Sequence, residues 1–297
     1  MIVPVHAGAD HPLYLDQALA AVLGQQPPPD EVIVVDDGSP EPIALAPEYA
    51  DRCRLIRLEH RAGPGAARDA ALKLLRTDLV ALADADDVWC AGKLAAQLGA
   101  LERAPDAALC YGTAEIIGAD GTPTGERWET PARLSPQALY EHNPIPTSSV
   151  VARRRALLGA GGFSGPMLCE DWALWLRMIE RDEHFVLEPR ARIRYRRHTG
   201  GATADIAALA AAALHVHELH ADVVDEALAR RVQAGDLVAL ARGRVRERRY
   251  GDAREALTRA AALTPLGRRE RMLRLLLMLP GARSLLGRRS PYSTSVR

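Results

Sequence analysis

Aromatic residues are scarce in this chain: 4% of 297 residues, with only two phenylalanines. Runs of stacking rings, the usual platform for single-stranded nucleic acid, are therefore missing. Cysteine is also rare. Cys53, Cys90, Cys110 and Cys169 are scattered, with no Cys-x-x-Cys pair. That pattern argues against a zinc site and fits reduced thiols in the cytosol. No apolar run approaches the roughly 20 residues that cross a bilayer. No secretory leader is expected either, because Met1 runs straight into the apolar Ile2-Val-Pro-Val5. Gly63 and Gly65 lack both a third glycine and a Gly-Lys-Ser/Thr sequence, so a phosphate loop is not expected there.

No charge sign prevails overall, since 38 basic and 38 acidic residues balance. Their distribution is uneven. Residues 231–297 hold 16 Lys+Arg and 5 Asp+Glu, which leaves 22 basic and 33 acidic residues in 1–230. A basic tail thus follows an acidic body, and it calls for an anionic partner: a membrane surface, nucleic acid, or the body itself. Hydrophobic residues make up 48% of the chain, enough for a large core.

The most telling stretch is Leu79-Val-Ala-Leu-Ala-Asp-Ala-Asp-Asp-Val88. An apolar run of strand length ends at three carboxylates, Asp84, Asp86 and Asp87. The carboxyl end of a strand is where open α/β sheets bind ligands. Carboxylates spaced Asp-x-Asp can share a hard divalent cation, Mg²⁺ or Mn²⁺, which completes its shell with water and substrate phosphate. A solvated acidic turn before a helix would give the same letters.

Around that stretch, strands and helices alternate. Ile2–Val5, Glu31–Val35, Arg54–Leu58 and Ala107–Thr113 read as further strands. Leu15, Ala18, Leu19, Val22 and Leu23 recur at helical spacing, and Gly63-Pro-Gly opens another helix. Asp120-Gly121 marks a hairpin turn. Trp172, Trp175, Leu176 and Ile179 form one face of a helix that opens on Glu170 and Asp171, where the helix dipole favours acids. Arg192–His198 is a last strand. The pattern predicts an α/β fold: a mostly parallel, Rossmann-like central sheet flanked by helices over residues 1–203. An all-α extension is predicted for 204–297. Within it, Leu240, Ala241, Ala253, Leu257, Ala260 and Pro265 fit one tetratricopeptide-like hairpin, which cannot bury its own apolar face alone. Arg268–Arg289 mixes basic residues with Met272, Leu273, Leu275, Leu276, Leu277, Met278 and Leu279. That run reads as a basic amphipathic tail for an anionic membrane interface, or as a core helix whose arginines reach solvent.

Taken in order, Val3-Pro-Val5, Val34-Val-Asp-Asp-Gly-Ser39, Gly65-Ala-Ala-Arg-Asp69, Asp84-Ala-Asp-Asp87, Gly161-Gly-Phe163, Glu170-Asp-Trp172 and Tyr195-Arg-Arg-His198 resemble a family 2 glycosyltransferase with a GT-A-type fold. The resemblance covers about residues 1–200. It implies an inverting, metal-dependent enzyme that moves a sugar from a nucleoside diphosphate, UDP being the expected nucleotide, to a saccharide or lipid-linked hydroxyl acceptor in cell-surface polysaccharide synthesis. Pro4, Val5, His6, Asp37, Arg68 and Asp84 would contact the nucleotide. Asp86 would hold Mg²⁺ or Mn²⁺, with Asp84 and His198 as further candidate ligands. Asp171 would be the general base. The expected location is cytoplasmic, peripheral at the inner face of the cell membrane. A homodimer is compatible with this reading, and no nucleic-acid partner is expected.

Two features depart from the family pattern: His6-Ala7 stands where an aromatic residue and Asn are usual, and the first strand is short at its N-terminus. In addition, no Gln-x-x-Arg-Trp motif, typical of processive synthases, follows Asp171, which implies a non-processive enzyme. A nucleotidyltransferase is the alternative enzyme class, but residues 6–12 hold one Gly and no Lys or Arg for a triphosphate loop. A non-catalytic scaffold on a decayed transferase domain would not be expected to keep Asp37, Asp84, Asp86 and Asp171 together.

Overall fold

In the computed structural model, residues 1–6, 11–164, 168–201 and 205–278 are described. The chain forms two compact units, Met1–Gly201 and Ala202–Arg297.

The first unit starts with a parallel sheet of β1 (Ile2–Val5), β2 (Ile33–Asp36) and β3 (Arg54–Arg57), with β1 on one edge. Every residue of β1 and β2 is buried. Such continuous burial arises when helices cover both faces of a parallel sheet. Val3, Val5 and Val34 join one core with Leu15, Leu19 and Val22 of helix α1 (His11–Leu23). Ile2, Ile33 and Val35, of opposite parity, are equally buried, and α3 (Pro64–Leu74) packs on β1 and β2. A single turn, α2 (Pro47–Ala50), precedes β3.

The remaining strands form a mixed sheet. β4 (Leu79–Ala81) pairs antiparallel with β8 (Val151–Arg153), and β8 pairs antiparallel with β6 (Ala107–Ile117). β6 runs parallel to β9 (His184–Arg196), and β9 carries the short antiparallel β5 (Val88–Trp89). β7 (Pro123–Trp128) completes a hairpin with β6 through the Asp120-Gly121 turn, Gly121 having φ +86°. The parallel character foreseen from the sequence thus belongs to β1–β3 and β6/β9, and antiparallel pairs link the rest. Helices α4 (Lys93–Arg103), α5 (Pro136–Glu141), α6 (Arg154–Gly159) and α7 (Glu170–Ile179) fill the connections.

The two sheets touch at one bridge, Ile2 to Leu82, where the Ala83 amide donates to the Ile2 carbonyl. Met1, Val3 and Val5 are the residues whose backbones bond the β2 side. Ile2 and Pro4 therefore face β4. Pro4 has no amide hydrogen, and it falls just where the β1/β4 contact ends. The chain order reverses at this seam, with β2 and β3 on one side of β1 and β4 on the other. A crevice at the carboxyl ends of β1 and β4 is the position where doubly wound sheets take ligands.

The second unit comprises α8 (Ile206–Leu219), α9 (Glu226–Arg246), α10 (Tyr250–Leu263) and α11 (Arg268–Met278). Ala241, Ala253, Leu257 and Ala260 are buried in its core with Leu214 and Leu237. Of the six positions named for the α9/α10 hairpin, Leu240 is only partly buried and Pro265 is exposed, while Ala241, Ala253, Leu257 and Ala260 are its small and apolar core. Close packing needs them small: a Cβ on Gly243 would lie 2.7 Å from that of Ala207. Among the described residues, no helix is long and apolar enough to cross a membrane. The part of the basic tail beyond Met278 lies outside the described residues.

Candidate active site

The two acids that end β2 do different work. Asp36 is buried and fully engaged. Its Oδ1 accepts from the Ser39 amide (2.9 Å), and its Oδ2 from the Ile43 amide (3.2 Å) and Arg57 Nη1 (2.9 Å). Burial would raise this carboxyl, but the bonds from Ser39, Ile43 and Arg57 outweigh it and hold it below the usual range. Asp37 accepts from the Ala62 amide at Oδ1 (2.7 Å) and from the Gly63 amide at Oδ2 (2.9 Å). It thereby ties the loop entering α3 to the end of β2. A carboxylate has about four acceptor sites, so each oxygen keeps one for a ligand N–H. His6 Nδ1 sits 3.0 Å from the Asp37 carbonyl oxygen. Gly38 (φ +59°) makes this closure possible, since a Cβ there would lie 2.3 Å from the backbone of His60. Pro4 and Val5 are buried in β1, so their backbone rather than their side chains borders the crevice. Ala7, the second residue of the departure at His6, lies outside the described residues.

The three acids after β4 also separate. Asp87 is buried, and its Oδ1 accepts the Arg196 amide (2.9 Å), which pins the end of β9. Burial, then the charges of Asp86 and Asp84, push its carboxyl well above the usual range. Asp87 is thus a structural residue. Asp84 donates its amide to Ser148 Oγ (2.8 Å) and accepts from Arg68 Nη2 (2.5 Å). Burial raises its carboxyl, and Arg68 opposes that. Asp86 carries no bond from Arg68 and is, with the 27% exposed Asp84, open in part to solvent. Its side chain is 33% exposed, with Oδ2 3.0 Å from His198 Nε2. The His198 ring lies 5.2 Å from that of Tyr14, and Arg196 stacks on the same Tyr14 ring at 4.5 Å.

No group of three His, Cys, Asp or Glu converges as a metal cage among the described residues. A Mg²⁺- or Mn²⁺-type ion does not need one. Such ions take one or two protein ligands and fill the rest of the shell with water and substrate phosphate. Asp86 and His198, adjacent and both reachable, supply two donors of suitable kind.

Arg68 lies between the two halves of the site. It is nearly inaccessible, with Nη2 on Asp84 and Nη1 on Glu170, and its guanidinium carbon is 5.5 Å from the Phe163 ring centroid. Burial would favour loss of its proton, but Asp84, Glu170 and Asp171 outweigh it and hold the charge more firmly than usual. Arg68 is a buried bridge, and each of its two engaged terminal nitrogens keeps a second N–H.

Glu170 is the residue that sequence reasoning passed over as a helix-start acid. The N-cap of α7 is Cys169 (φ +62°), with no capping side chain, and Glu170 turns inward to Arg68. Burial raises the Glu170 carboxyl to about 7, against the pull of Arg68 and with a push from Asp171. Gly65 allows this approach, because a Cβ there would lie 2.7 Å from Glu170 Cγ and 2.7 Å from the Phe163 carbonyl. Asp171, next in sequence, is held differently. Its Oδ2 accepts from Thr147 Oγ1 (2.5 Å) and Asn143 Nδ2 (3.1 Å), and its Oδ1 from the Trp172 amide (2.7 Å). Three of about four acceptor sites are filled and one remains on Oδ1. Thr147 and Asn143 were also missed. Their only local signal is polarity in a Pro-rich loop, and their role appears only when α7 folds against it.

A parallel β1–β3 sheet joined at β1/β4 to a mixed sheet, with helices around both, is the GT-A type of fold. The description "Glycosyl transferase family 2" matches residues 1–161, and the chain belongs to that family. An uncharacterized protein of Mycobacterium tuberculosis is 31% identical over 199 residues, 63% of this chain and 56% of that protein. The Escherichia coli enzyme WfgD, a UDP-Glc:α-D-GlcNAc-diphosphoundecaprenol β-1,3-glucosyltransferase, is 29% identical over 183 residues, 61% of this chain and 69% of that enzyme. The chain spans about half the length of the mycobacterial relative it matches. Among solved structures, the mannosyltransferase PcManGT of Pyrobaculum calidifontis, in complex with GDP-Man and Mn²⁺, superposes with a TM-score of 0.56 at 17% identity, over 96% of this chain and 84% of that one. At that identity the likeness concerns the fold.

Proposed function

We propose that the protein is an inverting, metal-dependent, non-processive glycosyltransferase. It moves a sugar from a nucleoside diphosphate, UDP in the first instance, to a hydroxyl of a lipid-linked saccharide at the cytoplasmic face of a membrane. The observation that carries this reading is the Asp84–Arg68–Glu170 bridge. It joins the acids of the β4 end directly to the start of α7, where Asp171 stands with a free acceptor site. A donor diphosphate on the first and an acceptor hydroxyl at the second would meet across one crevice. The support from relatives is the UDP-sugar and diphosphoundecaprenol-linked acceptor of the Escherichia coli enzyme and the Mn²⁺ and GDP-Man of the archaeal structure.

In this mechanism Asp37 accepts an N–H of the base through its remaining lone pairs, a charge-assisted and selective contact. The backbone of Pro4 and Val5 and the His6 ring border the base. Asp84, fixed by Arg68 and Ser148, faces the ribose and phosphates. Asp86 and His198 would hold the divalent ion, which neutralises charge on the departing nucleoside diphosphate. Asp171 takes the proton of the acceptor hydroxyl as its oxygen attacks the anomeric carbon. The new carbon–oxygen bond forms on the face opposite the breaking bond to the diphosphate, so the configuration inverts.

The test is a thermal-shift screen of UDP-, GDP- and dTDP-sugars with and without Mn²⁺. A donor at 100 times its Kd stabilises by about 2.7 kcal/mol, and a UDP-sugar with Mn²⁺ is expected to give the largest shift. Asp86→Ala is expected to abolish the metal-dependent part while the apo protein melts as before, since this side chain is not core. A variant that still gains the full Mn²⁺-dependent shift would remove Asp86 from the metal site.

A further inference from the structure

We propose that the outward face of α11 (Arg268–Met278) is a docking surface for an anionic lipid bilayer. It extends the membrane-face reading above by naming the surface, and none of its residues is assigned to donor or acceptor. Leu273 is the residue this helix buries. At about 100° per residue, Arg268, Arg271, Met272, Leu275 and Met278 fall in the half turned away from Leu273. Met272 is 63%, Leu275 65% and Met278 48% exposed, and Arg268 and Arg271 are exposed beside them. Single exposed apolar residues are ordinary. Here three of the seven large exposed hydrophobics among the described residues share one 11-residue helix, which is a patch rather than scatter.

Charge selects the occupant. The one acid of the helix, Glu270, is paired with Arg242 at 2.7 Å and also feels Arg269, so the outward face with Arg268 and Arg271 carries no acid of its own. A second copy seated on the same face would add a second set of arginines and no acid to balance them. An anionic bilayer instead takes the apolar side chains below its head groups and the guanidinium groups at them. Eleven residues rise about 16 Å, too short to cross the roughly 30 Å hydrocarbon core. The helix would lie in the interface.

The experiment is flotation of the full chain with vesicles of phosphatidylcholine alone or with added phosphatidylglycerol. The intact protein is expected to float with the anionic vesicles, to stay behind with the neutral ones, and to be released by salt. Met272→Ser/Leu275→Ser and Arg268→Gln/Arg271→Gln are each expected to weaken flotation about tenfold or more, with melting temperature and UDP-sugar thermal shift unchanged. An intact protein that ignores anionic vesicles at low salt overturns the proposal. So do double variants that float like the parent. A Met272→Ser/Leu275→Ser protein that floats normally but turns from dimer to monomer assigns the face to a second copy instead. The donor shift is read on the same samples, so loss of vesicle binding with the shift intact leaves the transfer reading standing. Loss of the shift alone strikes only that reading.

Discussion

Asp171→Asn is expected to lower turnover by roughly 10²–10⁴-fold at saturating donor and acceptor, the usual contribution of a positioned proton transfer. That is about 3–5.5 kcal/mol of barrier. The acceptor hydroxyl is a poor nucleophile until its proton has somewhere to go. Asparagine keeps the shape of Asp171 and can still accept from Thr147 or from the Trp172 amide, but it cannot take the proton. Its NH₂ must face either Oδ2's former donors or the Trp172 amide. The Thr147 hydroxyl can rotate to accept from it, so the change in melting temperature should be small and donor affinity near normal. Neighbouring Glu170 provides the contrast. Glu170→Gln keeps an oxygen for Arg68 Nη1 and leaves the acceptor side intact, so its loss of turnover should be much smaller. The measurement is kcat and donor Kd for both variants with the true acceptor. Turnover of Asp171→Asn within a few-fold of the parent would require another carboxylate as base. Damage confined to donor binding would move Asp171 to the donor side.

The letters that made the site legible are those whose environment is local. The apolar runs of β1, β2 and β4 announce strands buried on both faces, and acids at their ends announce a ligand crevice. Residue type and spacing alone do not rank one aspartate against its neighbour; the family resemblance is what singles out Asp37 and Asp86. Asp36 and Asp37, or Asp86 and Asp87, differ only in which side of a turn they occupy. The structure makes Asp36 and Asp87 structural by giving them the Ser39, Ile43 and Arg196 amides. The pairing of Arg68 with Glu170 spans 102 residues and leaves no local trace, so the sequence offers Arg68 as a ligand contact and Glu170 as a helix-start acid. Strand pairing was hidden for the same reason. β8 is three residues long and is defined by its antiparallel neighbours rather than by a pattern of its own. β7 is almost wholly exposed, so it shows no alternation to read, although the Asp120-Gly121 turn before it was clear.

Arg68→Met is expected to destabilise the protein by about 3–5 kcal/mol, the range for removing one partner of a buried ion pair. At about 2–4 °C per kcal/mol for chains approaching this size, the melting temperature should fall by about 6–20 °C. The substitution fits the volume but leaves the buried Glu170 carboxylate and the partly exposed Asp84 carboxylate without their cation. The loss should also depend on pH, and the sign follows from Glu170. Its folded carboxyl, at about 7, lies above the ordinary 4.5. The folded state therefore binds that proton more tightly than the unfolded state, and stability falls as pH rises from about 4.5 through 7. Arg68 pulls that carboxyl down, so removing the arginine moves the upper end of the window higher. Above it, Arg68→Met must bury a bare carboxylate. Toward about pH 5.5, Glu170 takes a proton and much of the deficit should disappear. Thermal melts of parent and variant at about pH 8 and about pH 5.5 separate these cases. Equal melting of the two proteins near pH 8 would mean that the bridge does not hold the site together. A deficit that grows on acidification would mean that Glu170 does not carry it.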